Sequence, residues 1–161
     1  EPRFQLFGHS SENKLKYPER TSTPLFRDNS ILSKLASMNI HHSILSAQHQ
    51  TLLNDLTNYC NVRKYFTEIN GLNDYYAHSK VDIGIEWMKK TEILSSEVLL
   101  IGDTDHDFEV AQALGIDCLL ISHGHHCHSR LSQTGAPVIR ELENIFHIFA
   151  IDLDPVEIGQ T

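Results

Sequence analysis

Short apolar runs alternate with helical patterns along most of this sequence, and this alternation limits the possible folds more than any other feature. The clearest run is Val-Leu-Leu-Ile at residues 98–101. Unbroken apolar strands that alternate with helices are typical of a parallel sheet covered on both faces. We therefore predict an α/β fold, a doubly wound, Rossmann-like parallel sheet in a three-layer α/β/α arrangement. The predicted strands include residues 42–46, 98–101 and 118–121, and the predicted helices residues 29–38, 52–59, 81–91, 107–114 and 141–147.

The start of the chain and one internal dipeptide look irregular. Residues 1–24 are polar and contain three prolines, so we predict an irregular segment there, with a short helix near residues 10–17. Asn70-Gly71 is a typical turn pair. We therefore divide the chain into an irregular segment at residues 1–24, an α/β core at residues 25–149 and a C-terminal tail at residues 150–161.

Length, charge and cysteine content exclude several classes of protein. A chain of 161 residues fits one globular domain. The net charge of -8 argues against binding to nucleic acid, because an acidic surface repels a phosphate backbone. No apolar run reaches the length of a membrane span. Three cysteines without CxxC spacing favour a reducing cytoplasm over a disulfide framework.

Polar side chains follow the predicted strands at the edge where such sheets bind ligands. Ser46 ends one strand, Lys80 precedes a helix, and Asp103 and Asp107 follow the strand that stops at Gly102. A hydroxyl group and the next backbone N–H can hold phosphate oxygens, and a lysine can neutralise a phosphoryl group in transfer. Two carboxylates favour a hard divalent cation such as Mg²⁺, and a glycine leaves room near the ion.

Each of these residues also has a simpler interpretation. Ser46 could be a helix cap, and Lys80 could be a solvated surface charge. Asp103 and Asp107 could also be caps, and Asp105 is expected to be a bystander of that kind. The order of the four residues along the chain, together with their positions after apolar strands, favours a shared site.

Four of the eleven histidines lie close together in His-Gly-His-His-Cys-His at residues 123–128. This cluster could bind a metal. However, ligands of zinc sites usually come in separated pairs, whereas nearly consecutive side chains point in different directions. A solvated loop after a strand is therefore the alternative that we prefer.

The order of these motifs resembles the haloacid dehalogenase-like superfamily of hydrolases, and within it the phosphoglycolate phosphatase-like branch. The resemblance runs from about residue 24 to residue 146. Ile44-Leu45-Ser46 is similar to the second motif of the family, and Lys80 matches the lysine of the third motif. Gly-Asp-Thr-Asp-His-Asp at residues 102–107 matches the fourth motif, Gly-Asp-x-x-x-Asp, which is fairly specific.

The resemblance implies a role for each matched residue. Ser46 and the backbone N–H of Ala47 would bind phosphate, and Lys80 would neutralise both the phosphate and the nucleophile. Asp103 would ligate Mg²⁺, with Asp107 beside it, holding the lysine or a metal-bound water. Substrate specificity in this family lies largely in a helical cap domain, which is mostly absent here, and residues 1–24 would be a remnant of it.

The first motif of the family, which carries the nucleophilic aspartate, is missing from the expected place. Residues 1–28 contain no Asp-x-Asp pattern, and their one aspartate is Asp28. Asp152 and Asp154 follow an apolar run near the C-terminus and could supply nucleophile and general acid/base in a permuted chain. We prefer the interpretation that the chain is partial and that the nucleophile lies upstream. The third possibility is a relative that has lost catalysis.

The expected function is therefore that of a cytoplasmic, Mg²⁺-dependent phosphomonoester hydrolase acting on a small phosphorylated metabolite such as phosphoglycolate. A catalytically inactive relative that binds phosphate or metal is the alternative. A phospho-receiver domain is disfavoured, because its acids precede its hydroxyl residue and lysine, whereas here Ser46 and Lys80 come first. The sequence leaves the oligomeric state open.

Overall fold

The computed structural model describes residues 3–8, 30–38, 40–73 and 79–148, with side chains described throughout except at residues 3–8 and 148. These residues form a parallel six-stranded sheet in the order β3-β2-β1-β4-β5-β6. None of the described helices is long and apolar enough to cross a membrane. The strands are β1 (Arg3–Gly8), β2 (His42–His49), β3 (Glu68–Leu72), β4 (Val98–Gly102), β5 (Asp117–Ile121) and β6 (Val138–Ile139).

Helices follow the strands along the chain. Their bounds are α1 (Ser30–Ser37), α2 (Gln50–Tyr59), α3 (Lys80–Thr91), α4 (Asp105–Leu114), α5 (His128–Leu131) and α6 (Ile145–Ile148). Short 3-10 turns lie at Arg63–Tyr65, Ser95–Glu97, Ser132–Thr134 and Leu142–Asn144. The alternation of strands and helices confirms the predicted doubly wound α/β fold.

Two hydrophobic clusters cover the two faces of the sheet, because successive side chains of a strand point to opposite faces. Ile101 of β4 packs on one face in a cluster with Leu35 of α1 and Ile145 of α6. The adjacent Leu100 packs on the other face, in a cluster with Val110 of α4. The continuous apolar run that predicted β4 is therefore apolar because both of its faces are buried.

The prediction of an irregular segment at residues 1–24 is wrong for Arg3–Gly8. This stretch forms β1, the strand that pairs in parallel with both β2 and β4. A central position gives the backbone partners on two sides, and this tertiary pairing outweighs the weak local pattern. The short helix predicted near residues 10–17 lies outside the described residues.

The prediction of a turn at Asn70-Gly71 is also wrong, because both residues lie inside β3. Gly71 is needed for a close approach of two backbones, since a Cβ atom there would lie 2.7 Å from the carbonyl oxygen of Gln48. The side chain of Gln50 then bridges to β3: its amide donates to the Ile69 carbonyl at 3.0 Å, and its oxygen accepts from the Gly71 N–H at 2.6 Å.

Candidate active site

The candidate site lies at the carboxyl edge of the central strands. The strand order reverses direction at β1 and β4, and such a switch point opens a crevice beyond the strand ends. Gly8 of β1 is in register with Ser46 of β2, and Leu6 is in register with Ile101 of β4. The sheet therefore places Ser46 and the residues after β4 at the same edge, on either side of β1.

Lys80 is buried, so its interpretation as a solvated surface charge is wrong. It is the first residue of α3, which begins with a capping box formed by Ser79 and Asp82. Only 2% of Lys80 is exposed, and its Nζ forms an ion pair with Oδ1 of Asp107. A buried ammonium needs such a partner, because leaving it unpaired costs several kcal/mol.

Asp107 is fully buried and both of its oxygens have partners. Oδ1 contacts Lys80, while Oδ2 accepts the backbone N–H of Asp103 at 3.0 Å. Oδ2 also accepts the N–H and the hydroxyl of Thr104, at 3.0 and 2.8 Å. Because these donors occupy the carboxylate, the geometry favours Asp107 as the residue that holds Lys80 over a role as a direct cation ligand.

The surroundings of Asp107 favour the ionised form of its carboxyl group. Burial raises the pKa of the carboxyl group, but the charge of the Lys80 ammonium and the hydrogen bonds from Lys80, Thr104 and Asp103 outweigh it, and the pKa lies below its usual value. Asp107 is therefore ionised at neutral pH although it is buried.

Thr104 is a site residue that the sequence reasoning missed. It is the N-cap of α4: its hydroxyl accepts the N–H of Asp107 at 3.2 Å and donates to the carboxylate of the same residue. The Thr-x-x-Asp spacing is close to the capping-box pattern and could have revealed both this cap and the start of α4 at Asp105, two residues before the predicted start. Asp107 is thus both a capping residue and the partner of Lys80.

The absence of a side chain at Gly102 leaves room for the side chain of Asp107. A Cβ atom at position 102 would lie 2.3 Å from the Cβ of Asp107 and 2.6 Å from its Oδ2. Any larger residue would therefore displace the buried carboxylate.

The two carboxylate oxygens of Asp103 differ, because among the described residues Oδ2 accepts hydrogen bonds and Oδ1 does not. Oδ2 accepts from the backbone N–H of His125 at 2.9 Å and from its ring Nδ1 at 2.6 Å. Oδ1 is buried and has no hydrogen-bond partner within the described part of the chain. A buried carboxylate oxygen without a partner fits a hard divalent cation, and Mg²⁺ prefers such oxygens together with water and phosphate. Asp103 thus fits a Mg²⁺ site.

Ser46 is buried and does not cap α2. The N-cap of that helix is His49, whose ring Nδ1 accepts the Thr51 N–H at 3.3 Å. The Ser46 hydroxyl instead accepts the backbone N–H of Gln48 at 3.1 Å, where the register between β2 and β3 shifts. β2 continues to His49, three residues beyond its predicted end. The structure joins Lys80, Asp103 and Asp107 in one hydrogen-bonded group. Ser46 ends the part of β2 that pairs with β1, across β1 from the strand β4 that precedes Asp103.

Residues 123–127 of the histidine cluster form a loop that lies over the start of α4, and His128 begins α5. The His126 backbone N–H donates to the Asp103 carbonyl at 3.2 Å, and the ring of His126 accepts the Asp105 N–H at 3.3 Å. Arg130 donates to the Asp105 carboxylate at 2.7 and 3.0 Å and lowers its pKa. The described residues contain no group of three or more side chains able to hold a metal, so these histidines do not converge on one ion.

The predicted nucleophile candidates cannot be placed in this site. Asp152 and Asp154 lie outside the described residues, as does the isolated Asp28, which is not a candidate. The strand at the centre of the sheet, β1, reads Arg-Phe-Gln-Leu-Phe-Gly and contains no carboxylate. Thus the described site has a lysine, a carboxylate with one unpartnered oxygen and a buried hydroxyl group, but no nucleophilic aspartate.

Comparison with known families identifies the chain through this same region. The sequence model of the haloacid dehalogenase-like hydrolases matches residues 9–121, which include Ser46, Lys80 and the Gly102–Asp107 motif. The chain belongs to the haloacid dehalogenase-like hydrolase family. The resemblance inferred from the motifs is confirmed. No curated protein matches the chain.

Solved structures of a hydrolase and of proteins named as phosphatases share the fold. A hydrolase of the family from Streptococcus pneumoniae is 21% identical, with a TM-score of 0.67 over 74% of this chain and 56% of its own. A predicted phosphatase from Clostridium acetobutylicum is 19% identical, with a TM-score of 0.71 over 77% of this chain and 59% of its own. The chain thus spans less than two thirds of the length of either protein.

A third structure has a length close to that of this chain. It is the core domain of a Streptococcus pneumoniae TIGR4 protein named for phosphoglycolate phosphatase activity, 18% identical, with a TM-score of 0.64 over 94% of this chain and 98% of its own. At this level of identity, the three similarities show the fold and do not transfer a substrate.

Proposed function

We propose that this chain holds the phosphate and the Mg²⁺ of a phosphomonoester hydrolase site that acts on a small phosphorylated metabolite such as phosphoglycolate. The observation that carries the proposal is the buried Lys80–Asp107 ion pair beside the unpartnered Oδ1 of Asp103. The buried Lys80 ammonium can pair with a phosphate, and the unpartnered oxygen of Asp103 can bind a metal. Both lie at the carboxyl edge of a doubly wound sheet, where such folds bind ligands.

Each side chain would have a separate role. The Lys80 ammonium would neutralise the phosphate oxygens, and Asp107 would keep this ammonium in place. The Ser46 hydroxyl and the Ala47 N–H would donate to phosphate oxygens from the other side of β1. Asp103 would hold Mg²⁺ through Oδ1. When bound, the cation would withdraw negative charge from the phosphoryl group.

Chemistry requires a nucleophile in addition to these residues. In the proposed enzyme, an aspartate attacks phosphorus and breaks the ester P–O bond, and a second, protonated carboxyl group donates its proton to the leaving oxygen. Asp152 and Asp154 are the candidates in this chain. We also propose an α/β core that includes β1 in addition to residues 25–149, and a tail at residues 150–161. The three free cysteines favour a cytoplasmic location.

The test is the hydrolysis of phosphoglycolate and p-nitrophenyl phosphate by the 161-residue chain, with Mg²⁺ or with EDTA. With Asp152 as the nucleophile, we expect turnover that requires Mg²⁺ and that falls at least about a hundredfold in Asp103→Asn. Asp117→Asn is the matched control, since Asp117 is an exposed aspartate at the opposite end of the sheet. Activity that survives both EDTA and Asp103→Asn would contradict the proposal.

One observation favours a second candidate, a relative that binds phosphate and cation without turnover. The central strand β1 pairs with β2 and β4, next to Ser46, and offers no carboxylate at this edge. Under this candidate the chain binds inorganic phosphate with Mg²⁺ in calorimetry but releases no product at high enzyme concentration. Activity that disappears in Asp152→Asn would exclude it and would identify the nucleophile.

A further inference from the structure

His125 lies outside the matched motifs of the family, yet it contacts Asp103 of the candidate site. His125 follows β5, and 22 residues separate it from Asp103 in the sequence. Two donors of His125 reach the same carboxylate oxygen, Oδ2: the backbone N–H at 2.9 Å and the ring Nδ1 at 2.6 Å. Since the carboxylate can only accept, the ring nitrogen that faces it carries the proton.

The backbone around His125 is shaped for this contact. A Cβ atom on Gly124 would lie 2.3 Å from both the Cβ and the Oδ2 of Asp103. Glycine therefore allows the loop to lie directly against the carboxylate. The neighbouring His126 adds a third bond, from its backbone N–H to the Asp103 carbonyl at 3.2 Å. Thus the loop holds both the backbone and the side chain of Asp103.

Two donors on one oxygen restrict the rotation of a carboxylate about its last bond. With Oδ2 held by His125, the orientation of Oδ1 is also fixed, and Oδ1 is the buried oxygen without a partner in the described part of the chain. Removal of an outer group that orients a metal ligand in this way typically weakens metal binding about 10–100-fold.

We propose that His125 is a positioning residue of the cation site: it holds Oδ2 of Asp103 through its ring Nδ1–H and its backbone N–H, so that Oδ1 faces the Mg²⁺. The inference rests on the proposed function, because it assumes that Asp103 binds the cation. His125 is distinct from the exposed His123 of the same loop, whose ring lies 3.8 Å from Glu141 and does not reach Asp103.

The experiment measures the affinity of the full 161-residue chain for Mg²⁺ by calorimetry and for Mn²⁺ by electron paramagnetic resonance. His125→Ala should weaken both about 10–100-fold. His125→Asn should restore most of the affinity, because its amide N–H can occupy the position of Nδ1–H. His125→Gln should not, because its amide lies one bond further out. His123→Ala is the matched control and should bind like the wild type.

The outcomes separate this inference from the proposed function. If the wild type binds Mg²⁺ and His125→Ala binds it equally well, His125 does not position Asp103, while the proposed function stands. The same conclusion follows if His125→Asn is as weak as His125→Ala with unchanged circular dichroism. A wild type that binds phosphate but no Mg²⁺ would overturn both the inference and the cation part of the proposal. Nitrogen chemical shifts should also show the Nδ1–H tautomer of His125.

Discussion

Asp107 connects stability and the proposed chemistry at the scale of single residues. It accepts hydrogen bonds from the Asp103–Thr104 turn, completes the cap of α4 and pairs with Lys80. Both members of the ion pair are buried, so water cannot solvate the charge that remains if its partner is removed. Part of the site is therefore also part of the core.

We expect Lys80→Met to lower the free energy of unfolding by about 3–5 kcal/mol, because it leaves the Asp107 carboxylate buried without its counter-charge. Urea denaturation at pH 7 measures this change. Lys89→Met, an exposed lysine on the same helix, is the control and should stay within about 0.5 kcal/mol of the wild type. Equal effects of the two substitutions would contradict the burial of the ion pair.

Asp107 also predicts a dependence of stability on pH. Because its pKa in the folded protein lies below the usual value of 3.8, its stabilising contribution is complete above pH 3.8 and is lost as the pH falls through the lowered pKa. The difference in unfolding free energy between the wild type and Asp107→Asn should therefore stay constant near neutral pH and shrink below pH 3.8. A difference that shrinks already between pH 7 and 6 would point to another group.

At the scale of elements, the turn from β4 to α4 depends on the absence of a side chain at Gly102. We expect Gly102→Ala to lower the free energy of unfolding by at least about 1–3 kcal/mol, because the Cβ of the alanine would overlap the buried Asp107. Gly115→Ala is the comparison, since a Cβ there meets nothing within 4 Å and only the positive φ of 66° opposes it. Thermal unfolding measures the stability of both variants. In Mg²⁺ titrations, only Gly102→Ala should also abolish cation binding.

The sequence pattern predicts elements better than it predicts contacts. The apolar run of β4 and the helical spacing of α4 are local signals, so both elements could be predicted from neighbouring residues. The strand β1 could not, because its six residues lie in a polar stretch and are held by partners far along the chain. For the same reason, the order of the motifs predicted Lys80 and Asp103 as site residues, but it contained no sign of the contact with His125.

At the scale of the whole molecule, the three free cysteines report on packing. Burial raises the pKa of Cys118 to about 12, and the charge of Asp107 adds to this effect, while that of Lys80 opposes it. Cys127 is exposed, and its pKa is lowered, first by the hydrogen bond with Ser129. The two thiols therefore differ in both access and thiolate content.

We expect a disulfide reagent at pH 8 to modify Cys127 first and Cys118 only when the domain unfolds. With Cys60 replaced by serine in every variant, Cys127→Ser should remove the fast phase and leave the slow phase of Cys118 unchanged. The rate of the slow phase, followed in increasing urea, then measures the opening of the cluster between α4 and the sheet. A fast reaction of Cys118 in native buffer would show that this cluster opens locally.

The central position of β1 has a consequence for how the chain reaches its fold. The units β2–α2–β3 and β4–α4–β5 are each built from neighbouring segments, and β1 is the strand that joins them. Its pairing of Arg3 with Val98 is among the most distant in sequence, and contacts of this kind form slowly because a long loop must close first. We therefore expect two half-sheets to form early in refolding and the edge that carries Ser46 and Asp103 to assemble only in the last step.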